Sequence, residues 1–168
     1  MYAVIAIPEF STAATAWIDA IRRAHDPRFE QVAAHVTLSF PHDPADADWF
    51  AGHVASVAAV TPAFDADFDR LGRIEDAFAP KYRFLNVLLA DAESAAPLTT
   101  LYRSLGGQGE YAPHVTLTRF GAVFSAKAFE RQAGALKKPL AARIDALQLL
   151  RIEHGNVRAV STHSLSSP

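Results

Sequence analysis

The sequence predicts an α+β protein with two pseudo-symmetric β-α-β-α-β lobes, whose antiparallel-rich sheets enclose a central cleft. Three observations support this fold class. Short apolar segments alternate with longer segments whose apolar residues recur every three or four positions, as in amphipathic helices. The tetrapeptide His-Val-Thr-Leu occurs at 35–38 and again at 114–117. The tripeptide Arg-Ile-Glu occurs at 73–75 and again at 151–153.

The first half of the chain predicts three strands and two helices. The strands cover 2–7, 32–40 and 63–74, and the helices cover 11–23 and 46–60. Pro8 and Pro41 end the first two strands, because proline cannot donate a hydrogen bond to a sheet. Ser11 is a suitable N-cap for the first helix. The apolar stripes of the two helices are Ala14, Trp17, Ile18 and Ile21, then Phe50, Val54 and Val57.

The second half repeats this order and adds a strand. The predicted strands cover 82–89, 113–120, 142–152 and 157–165, and the predicted helices cover 95–105 and 125–137. Pro97 is tolerated because it falls in the first turn of its helix. The turn His154-Gly155-Asn156 predicts that the last two strands form a hairpin.

Matching offsets indicate an internal duplication. The tetrapeptides lie 79 positions apart, the Arg-Ile-Glu segments lie 78 apart, and Pro62 and Pro139 lie 77 apart. We interpret the chain as a single bilobal domain whose lobes cover 1–78 and 79–168. The alternative is that a short string of common residues recurs by coincidence.

Length and composition predict one globular domain. The chain has 168 residues, half of them hydrophobic, and a formal net charge of −2. It has no cysteine, which excludes disulfides and thiolate metal ligands. No segment approaches the ~20 apolar residues that cross a bilayer, and no secretory signal is visible at the N-terminus. We therefore expect a cytoplasmic monomer that binds neither membranes nor DNA.

Strand alternation predicts which motif side chains share a face. Residues i and i+2 of a strand project to the same side. One face of each motif strand therefore holds His35, Thr37 and Ser39 in the first repeat, and His114, Thr116 and Thr118 in the second. Strict alternation places Phe40 and Arg119 on the opposite, core-facing sides.

Two histidines and two threonines facing one cleft suit phosphoryl transfer. Imidazole titrates near neutral pH, so one histidine can accept a proton while the other donates one. A threonine hydroxyl can hold a non-bridging phosphate oxygen. This chemistry needs neither a metal nor another cofactor, and the near-identical motifs do not distinguish the acid from the base. The alternative is that His35 and His114 are structural strand residues.

The paired motifs resemble those of the two-histidine phosphoesterase superfamily, and most of all its 2′-5′ RNA ligase-like, RNA cyclic phosphodiesterase branch. The segment 111–120 reads Tyr-Ala-Pro-His-Val-Thr-Leu-Thr-Arg-Phe, similar to the aromatic-x-Pro-His-x-Thr-Leu-x-Arg run of that branch. The segment 34–41 reads Ala-His-Val-Thr-Leu-Ser-Phe-Pro, which is also similar. The resemblance covers essentially the whole chain.

This resemblance implies hydrolysis of cyclic phosphodiesters such as RNA 2′,3′-cyclic phosphate ends, or reversible 2′-5′ joining. It implies that His35 and His114 are catalytic, that Thr37 and Thr116 bind phosphate, and that the substrate is a small nucleotide or an RNA end. Two features depart from the family pattern. Residue 34 is Ala where the branch often has Pro, and the acidic stretch Asp43, Asp46 and Asp48 does not favour a long RNA partner.

Several basic residues are further candidates for contacting phosphate. By resemblance Arg119 is a phosphate clamp, although a salt bridge at the strand end is the alternative. Four others could steer a phosphate or could be solvated or ion-paired: Arg73, Lys81, Arg83 and Arg151. No histidine has the spacing of a zinc site.

Two other functions stay open at this stage. The chain could be a nucleotide-binding or RNA-end-binding module that kept the fold without turnover. It could also be a metal-dependent hydrolase that uses His35 and His114 as ligands.

Overall fold

The computed structural model describes residues 1–75, 84–120, 136 and 138–167, which form three helices and nine strands. The helices are α1 (Thr12–His25), α2 (Ala47–Val60) and α3 (Ala92–Ser104). The strands are β1 (Tyr2–Ala6), β2 (Glu9–Phe10), β3 (Val36–His42), β4 (Phe64–Glu75), β5 (Phe84–Ala90), β6 (His114–Phe120), β7 (Leu140–Ile144), β8 (Ala146–Glu153) and β9 (Asn156–Ser164). Apart from residue 136, the range of the helix expected over 125–137 lies outside the described residues, as do Lys81 and Arg83.

The strands form one curled sheet, which confirms the α+β class. Their order is β2-β7-β4-β5-β6-β3-β1-β8-β9, and every neighbouring pair is antiparallel. The two motif strands, β3 and β6, are adjacent at the middle of this order. They pair only at Val36 and Val115, each of which directly follows a motif histidine.

The sheet order is symmetric about that central pair. In the sequence repeat, β1 corresponds to β5, β3 to β6, and β4 to β8. Moving outward from the centre, β6, β5 and β4 on one side therefore match β3, β1 and β8 on the other. The third strand of each repeat lies beside strands of the other repeat, because β4 pairs with β5 and β8 pairs with β1. Strands from the two halves of the chain are therefore interleaved in one sheet. The division into lobes at residue 78 stays a prediction.

The described helices begin at side-chain caps and pack on one face of the sheet. The side-chain oxygens of Ser11, Asp46 and Asp91 each accept a hydrogen bond from the backbone N–H three residues later. The predicted stripes of α1 and α2 face the main core, with Trp17 only partly buried, and Leu98 and Leu101 of α3 pack into the same core. None of these helices is long and apolar enough to cross a membrane.

Three predicted strand boundaries were wrong. The strand expected to begin at residue 32 begins at Val36, because the chain forms a turn and bends over 31–34. The strand expected to end at Pro41 continues through it, because Pro41 lies between the paired residues Ser39 and His42 at a register irregularity. The single strand expected over 142–152 is two strands, β7 and β8. They separate at Asp145 because β7 pairs with β4, whereas β8 pairs with β1 in the other half of the sheet.

Candidate active site

The two motifs meet in one cavity on the face of the sheet opposite the helices. The cavity has a volume of about 340 Å³, and His35, Thr37, His114 and Thr116 all line it. Its volume lies within the range of small-molecule sites, roughly 300–1,000 Å³. The structure therefore brings together the four residues that alternation and motif spacing selected.

The pairing of Val36 with Val115 explains why these four side chains converge. Both valines are fully buried in the core beneath the helices. Their neighbours along each strand must then project to the other face, into the cavity. Because the strands are antiparallel, His35 lies on the side of Thr116, and His114 lies on the side of Thr37.

Both motif histidines are held by the same local hydrogen bond. The Nδ1 atom of His35 lies 2.8 Å from the carbonyl oxygen of Ala33, and the Nδ1 atom of His114 lies 2.7 Å from the carbonyl oxygen of Ala112. A carbonyl can only accept, so Nδ1 carries the proton in each ring. In the neutral ring Nε2 is then the basic nitrogen, which sets the tautomer for proton transfer.

A β-bulge follows the threonine in both motif strands. In β3, Thr37 and Ser39 pair with the consecutive residues Ile5 and Val4. In β6, Thr116 and Thr118 pair with the consecutive residues Val87 and Asn86. At this bulge each motif strand has one residue more than its partner, which reverses the alternation just beyond it. The repeated bulge is a structural counterpart of the repeated sequence.

Because of the bulges, four side-chain placements that strict alternation predicted are wrong. Phe40 and Arg119, expected on the core side, line the cavity instead. Ser39 and Thr118, expected beside the motif histidines, are buried on the other side. The hydroxyl of Thr118 accepts a hydrogen bond of 3.0 Å from the side-chain amide of Asn86. Arg119 is therefore positioned to contact a substrate in the cavity.

Asp26, at the end of α1, organises the charged side of the site. Its carboxylate accepts two hydrogen bonds from the fully buried Arg22, at 3.1 and 2.9 Å, and one from Nε of Arg119, at 3.2 Å. The backbone N–H of Arg28 also donates to it. Sequence reasoning missed this cluster. The available signal was Arg22 on the apolar stripe of α1, four residues before Asp26 and so on the same helix face.

The His35 ring is partly buried against an apolar floor. A small cluster centred on Ala3, Ile5 and Leu150 forms this floor. Burial lowers the pKa of His35 to about 4, and the positive charges of Arg22 and Arg119 act in the same direction. The hydrogen bond to Ala33 only partly opposes this shift. His35 is therefore neutral at physiological pH.

Tyr111 connects the second motif to the first. Its hydroxyl donates a hydrogen bond of 2.7 Å to the carbonyl oxygen of Thr37, 74 residues away in sequence. Its ring stacks on Tyr102 with a centroid separation of 4.1 Å. Burial raises the pKa of the Tyr111 hydroxyl, which keeps it protonated as a donor. The aromatic position of the second motif thus bridges the two repeats.

Other candidates lie away from the cavity. Arg151 is exposed and pairs with Glu153, and neither it nor Arg73 is among the described residues that line the cavity. The cavity wall instead contains Arg28, Glu75 and Glu110, which motif reasoning did not select. Within the described ranges, no three His, Asp or Glu side chains group as metal ligands would.

Comparisons with known proteins agree with this geometry. The family model of the 2′-5′ RNA ligase superfamily matches residues 9–156. No curated protein matches the chain. Among solved structures, LigT of E. coli complexed with 3′-AMP has 17% sequence identity and a TM-score of 0.59, and LigT complexed with phosphate has 18% and 0.56. TT0787 of Thermus thermophilus has 16% and 0.58. In all three comparisons 98% of each chain is covered.

These structural likenesses show a shared fold along essentially the whole chain. The family match covers most of the 168 residues and includes both motifs. The resemblance expected from the paired His-x-Thr segments is thereby confirmed, and the chain belongs to the 2′-5′ RNA ligase superfamily of two-histidine phosphoesterases.

Proposed function

We propose that this chain is a metal-independent phosphoesterase that hydrolyses, or reversibly joins, phosphodiesters at nucleotide or RNA ends, above all 2′,3′-cyclic phosphates. One observation carries the proposal. His35 and His114 line the same cavity, and each is fixed by an Nδ1 hydrogen bond to the carbonyl two residues before it. Paired acid-base catalysis needs two imidazoles that share one site and have their tautomers fixed.

In the hydrolytic direction, a water oxygen attacks the phosphorus of the cyclic diester. His35 takes the proton from that water, because its lowered pKa keeps Nε2 unprotonated at neutral pH. The bond from phosphorus to one ribose oxygen breaks with its electron pair on that oxygen. Protonated His114 donates the proton that the leaving oxygen needs. The product is a ribose phosphomonoester with the other hydroxyl free.

Thr37 and Thr116 are the proposed donors to the non-bridging phosphate oxygens. Both hydroxyls line the cavity beside the histidines. Arg119 lines the same cavity, where its guanidinium can offset the negative charge of the transition state. Donors already held in place cost little reorganisation when that charge develops.

The substrate class sets further parts of the proposal. A 2′,3′-cyclic phosphate requires a ribose 2′-hydroxyl, so the partner is an RNA end or a ribonucleotide rather than DNA. We propose that the protein acts as a monomer in the cytoplasm. Size-exclusion chromatography with light scattering and localisation of a tagged chain would test these two statements.

The direct test is hydrolysis of a 2′,3′-cyclic nucleotide in the presence of EDTA, by the wild type and by His35→Ala and His114→Ala. We expect EDTA to leave the rate unchanged. Each substitution should lower kcat by about 10²–10⁴-fold, the contribution that acid-base catalysis typically makes. His154→Ala is a matched control, since His154 lies in the β8–β9 turn and does not line the cavity.

Each alternative has its own outcome in this assay. Full activity in either histidine variant would refute paired catalysis. Loss of activity with EDTA, restored by a divalent metal, would identify a metal-dependent hydrolase. Phosphate-ligand binding in the cavity without turnover across a broad substrate panel would identify a binding module.

A further inference from the structure

A second cavity lies between the start of α2 and the end of α3. Its volume is about 720 Å³, and its wall includes Trp49 and His53 of α2, Tyr102 of α3, and Phe40 and His42 from the end of β3. No residue of the catalytic motifs other than those at the end of β3 contributes to it. With Phe50, six of the thirteen described wall residues carry aromatic or imidazole rings.

The rings of this cavity are arranged for stacking. The rings of Trp49 and His53 are nearly parallel and stacked, with an interplanar angle of 5° and a centroid separation of 5.1 Å. The Nε2 atom of His53 lies 2.8 Å from the carbonyl oxygen of Ser104, which anchors that ring to the end of α3. Trp49 is nevertheless 65% exposed. A large, exposed aromatic ring supported by a fixed neighbour is a typical binding surface rather than a core element.

The charge of the cavity favours an uncharged ring over a phosphate. Among the described residues of its wall, Asp46 carries the only full charge. The carboxylate of Asp46 accepts a hydrogen bond of 2.9 Å from the backbone N–H of Trp49 and thereby caps α2. Asp43, in the same acidic stretch, pairs with the N-terminal amine at 2.9 Å. The described wall contains no Lys or Arg that could bind a phosphate, whereas its aromatic faces can stack with any nucleobase.

Phe40 connects the two cavities. Its side chain lines both of them, because the bulge in β3 turns it toward the catalytic side. A second connection runs from Tyr102 in the aromatic wall to Tyr111, and from the Tyr111 hydroxyl to the carbonyl of Thr37. Among the described residues, Phe40 is thus the one side chain shared by the two cavity walls.

We propose that the second cavity binds the nucleobase that precedes the reactive nucleotide, so that the preferred substrate is an RNA oligonucleotide end rather than a mononucleotide. This inference rests on the proposed function, whose reaction supplies the nucleotide in the first cavity. Trp49 provides the main stacking face and His53 supports it. Only short RNA ends fit this arrangement, because the acidic stretch near α2 disfavours a longer backbone path.

Paired kinetics of Trp49→Ala test the inference. We expect KM for a trinucleotide ending in a 2′,3′-cyclic phosphate to rise about fivefold or more, the effect of losing one stacked base. Hydrolysis of the 2′,3′-cyclic mononucleotide should be unchanged. Trp49→Phe should restore much of the trinucleotide KM. The control is Trp17→Phe, because Trp17 packs partly buried against the core and lines neither cavity.

A fluorescence titration gives an independent readout that needs no turnover. The chain contains two tryptophans, so Trp17→Phe leaves Trp49 as the sole tryptophan reporter. With His35→Ala added to prevent hydrolysis, the trinucleotide should quench this fluorescence saturably, and the cyclic mononucleotide should not.

Three results would overturn the inference. The first is an equal effect of Trp49→Ala on both substrates, and the second is no effect on either. The third has two parts. The trinucleotide binds without changing Trp49 fluorescence, and the wild type self-associates whereas Trp49→Ala does not. That result would assign the Trp49 surface to contact between protein chains. If neither substrate is hydrolysed by the wild type, the proposed function fails, and the titration still decides whether the second cavity binds RNA.

Discussion

The Nε atom of Arg119 lies 3.2 Å from Oδ1 of Asp26, so an arginine of the second repeat is held by the end of a helix from the first. Asp26 is only 5% exposed, and it also neutralises the buried Arg22. Pairs of this kind add little net stability when intact, but removing one partner leaves a charge buried without compensation. Asp26 is therefore a positioning residue for the cavity arginine and a weak point of the fold.

Asp26→Ala should destabilise the protein by about 3–5 kcal/mol, the usual cost of leaving a buried charge unpaired. The reason is that Arg22 would keep its positive charge inside the core without a carboxylate. Urea denaturation followed by circular dichroism measures this change. Asp43→Ala is the matched control, because Asp43 is exposed and pairs only at the surface, where an ion pair contributes roughly 0–1 kcal/mol. Equal destabilisation in the two variants would contradict the assignment.

Arg119→Gln should lower kcat/KM for a 2′,3′-cyclic nucleotide by about 100-fold, as expected for losing one preorganised donor to the reacting phosphate. Arg119→Lys should recover only part of this loss, because the ammonium keeps the charge but not the planar guanidinium that bonds Asp26. Steady-state kinetics would show the difference. Arg151→Gln, outside the cavity, should behave as wild type. Wild-type kinetics in Arg119→Gln would remove this residue from the site.

The acid limb of the pH profile of kcat/KM should have its midpoint near pH 4. The proposed base, His35, works only when neutral, and its pKa is lowered to about 4, so activity is lost as pH falls through that value. Arg119→Gln should move this limb to higher pH, since removing a nearby positive charge raises the pKa of the imidazole. Rates measured from pH 3.5 to 8 would decide this. A limb near the ordinary histidine value of about 6.5 would contradict the prediction.

Tyr111→Phe should lower both stability and activity on a cyclic mononucleotide. The substitution removes the hydrogen bond to the Thr37 carbonyl, which should lower the free energy of unfolding by about 1 kcal/mol. It also removes this connection between the first motif and the second. Thermal melts and initial rates are the measurements. Tyr102→Phe removes a comparable bond, to the Gln108 carbonyl, that does not reach a motif strand. It should lower stability alone, and a parallel loss of mononucleotide activity would contradict this reading.

Local patterns were sufficient to predict most of the elements. The apolar stripe of α1 and its Ser11 cap depend on residues within a few positions of one another, and both appear as expected. The facing of the motif histidines also follows from local rules, because the core-facing valines Val36 and Val115 leave the neighbouring histidines on the other face. The exchange of β4 and β8 between repeats could not be predicted, since partner choice among distant strands depends on the whole sheet.

The sequence by itself determined the two His-x-Thr faces, because alternation along a strand is set by backbone geometry alone. The tertiary structure decided what stands beside them. The bulges after Thr37 and Thr116 arise from pairing with β1 and β5, and they turn Phe40 and Arg119 into the cavity. The ion pair of Arg119 with Asp26 joins residues 93 positions apart, a contact that exists only once α1 packs against β6.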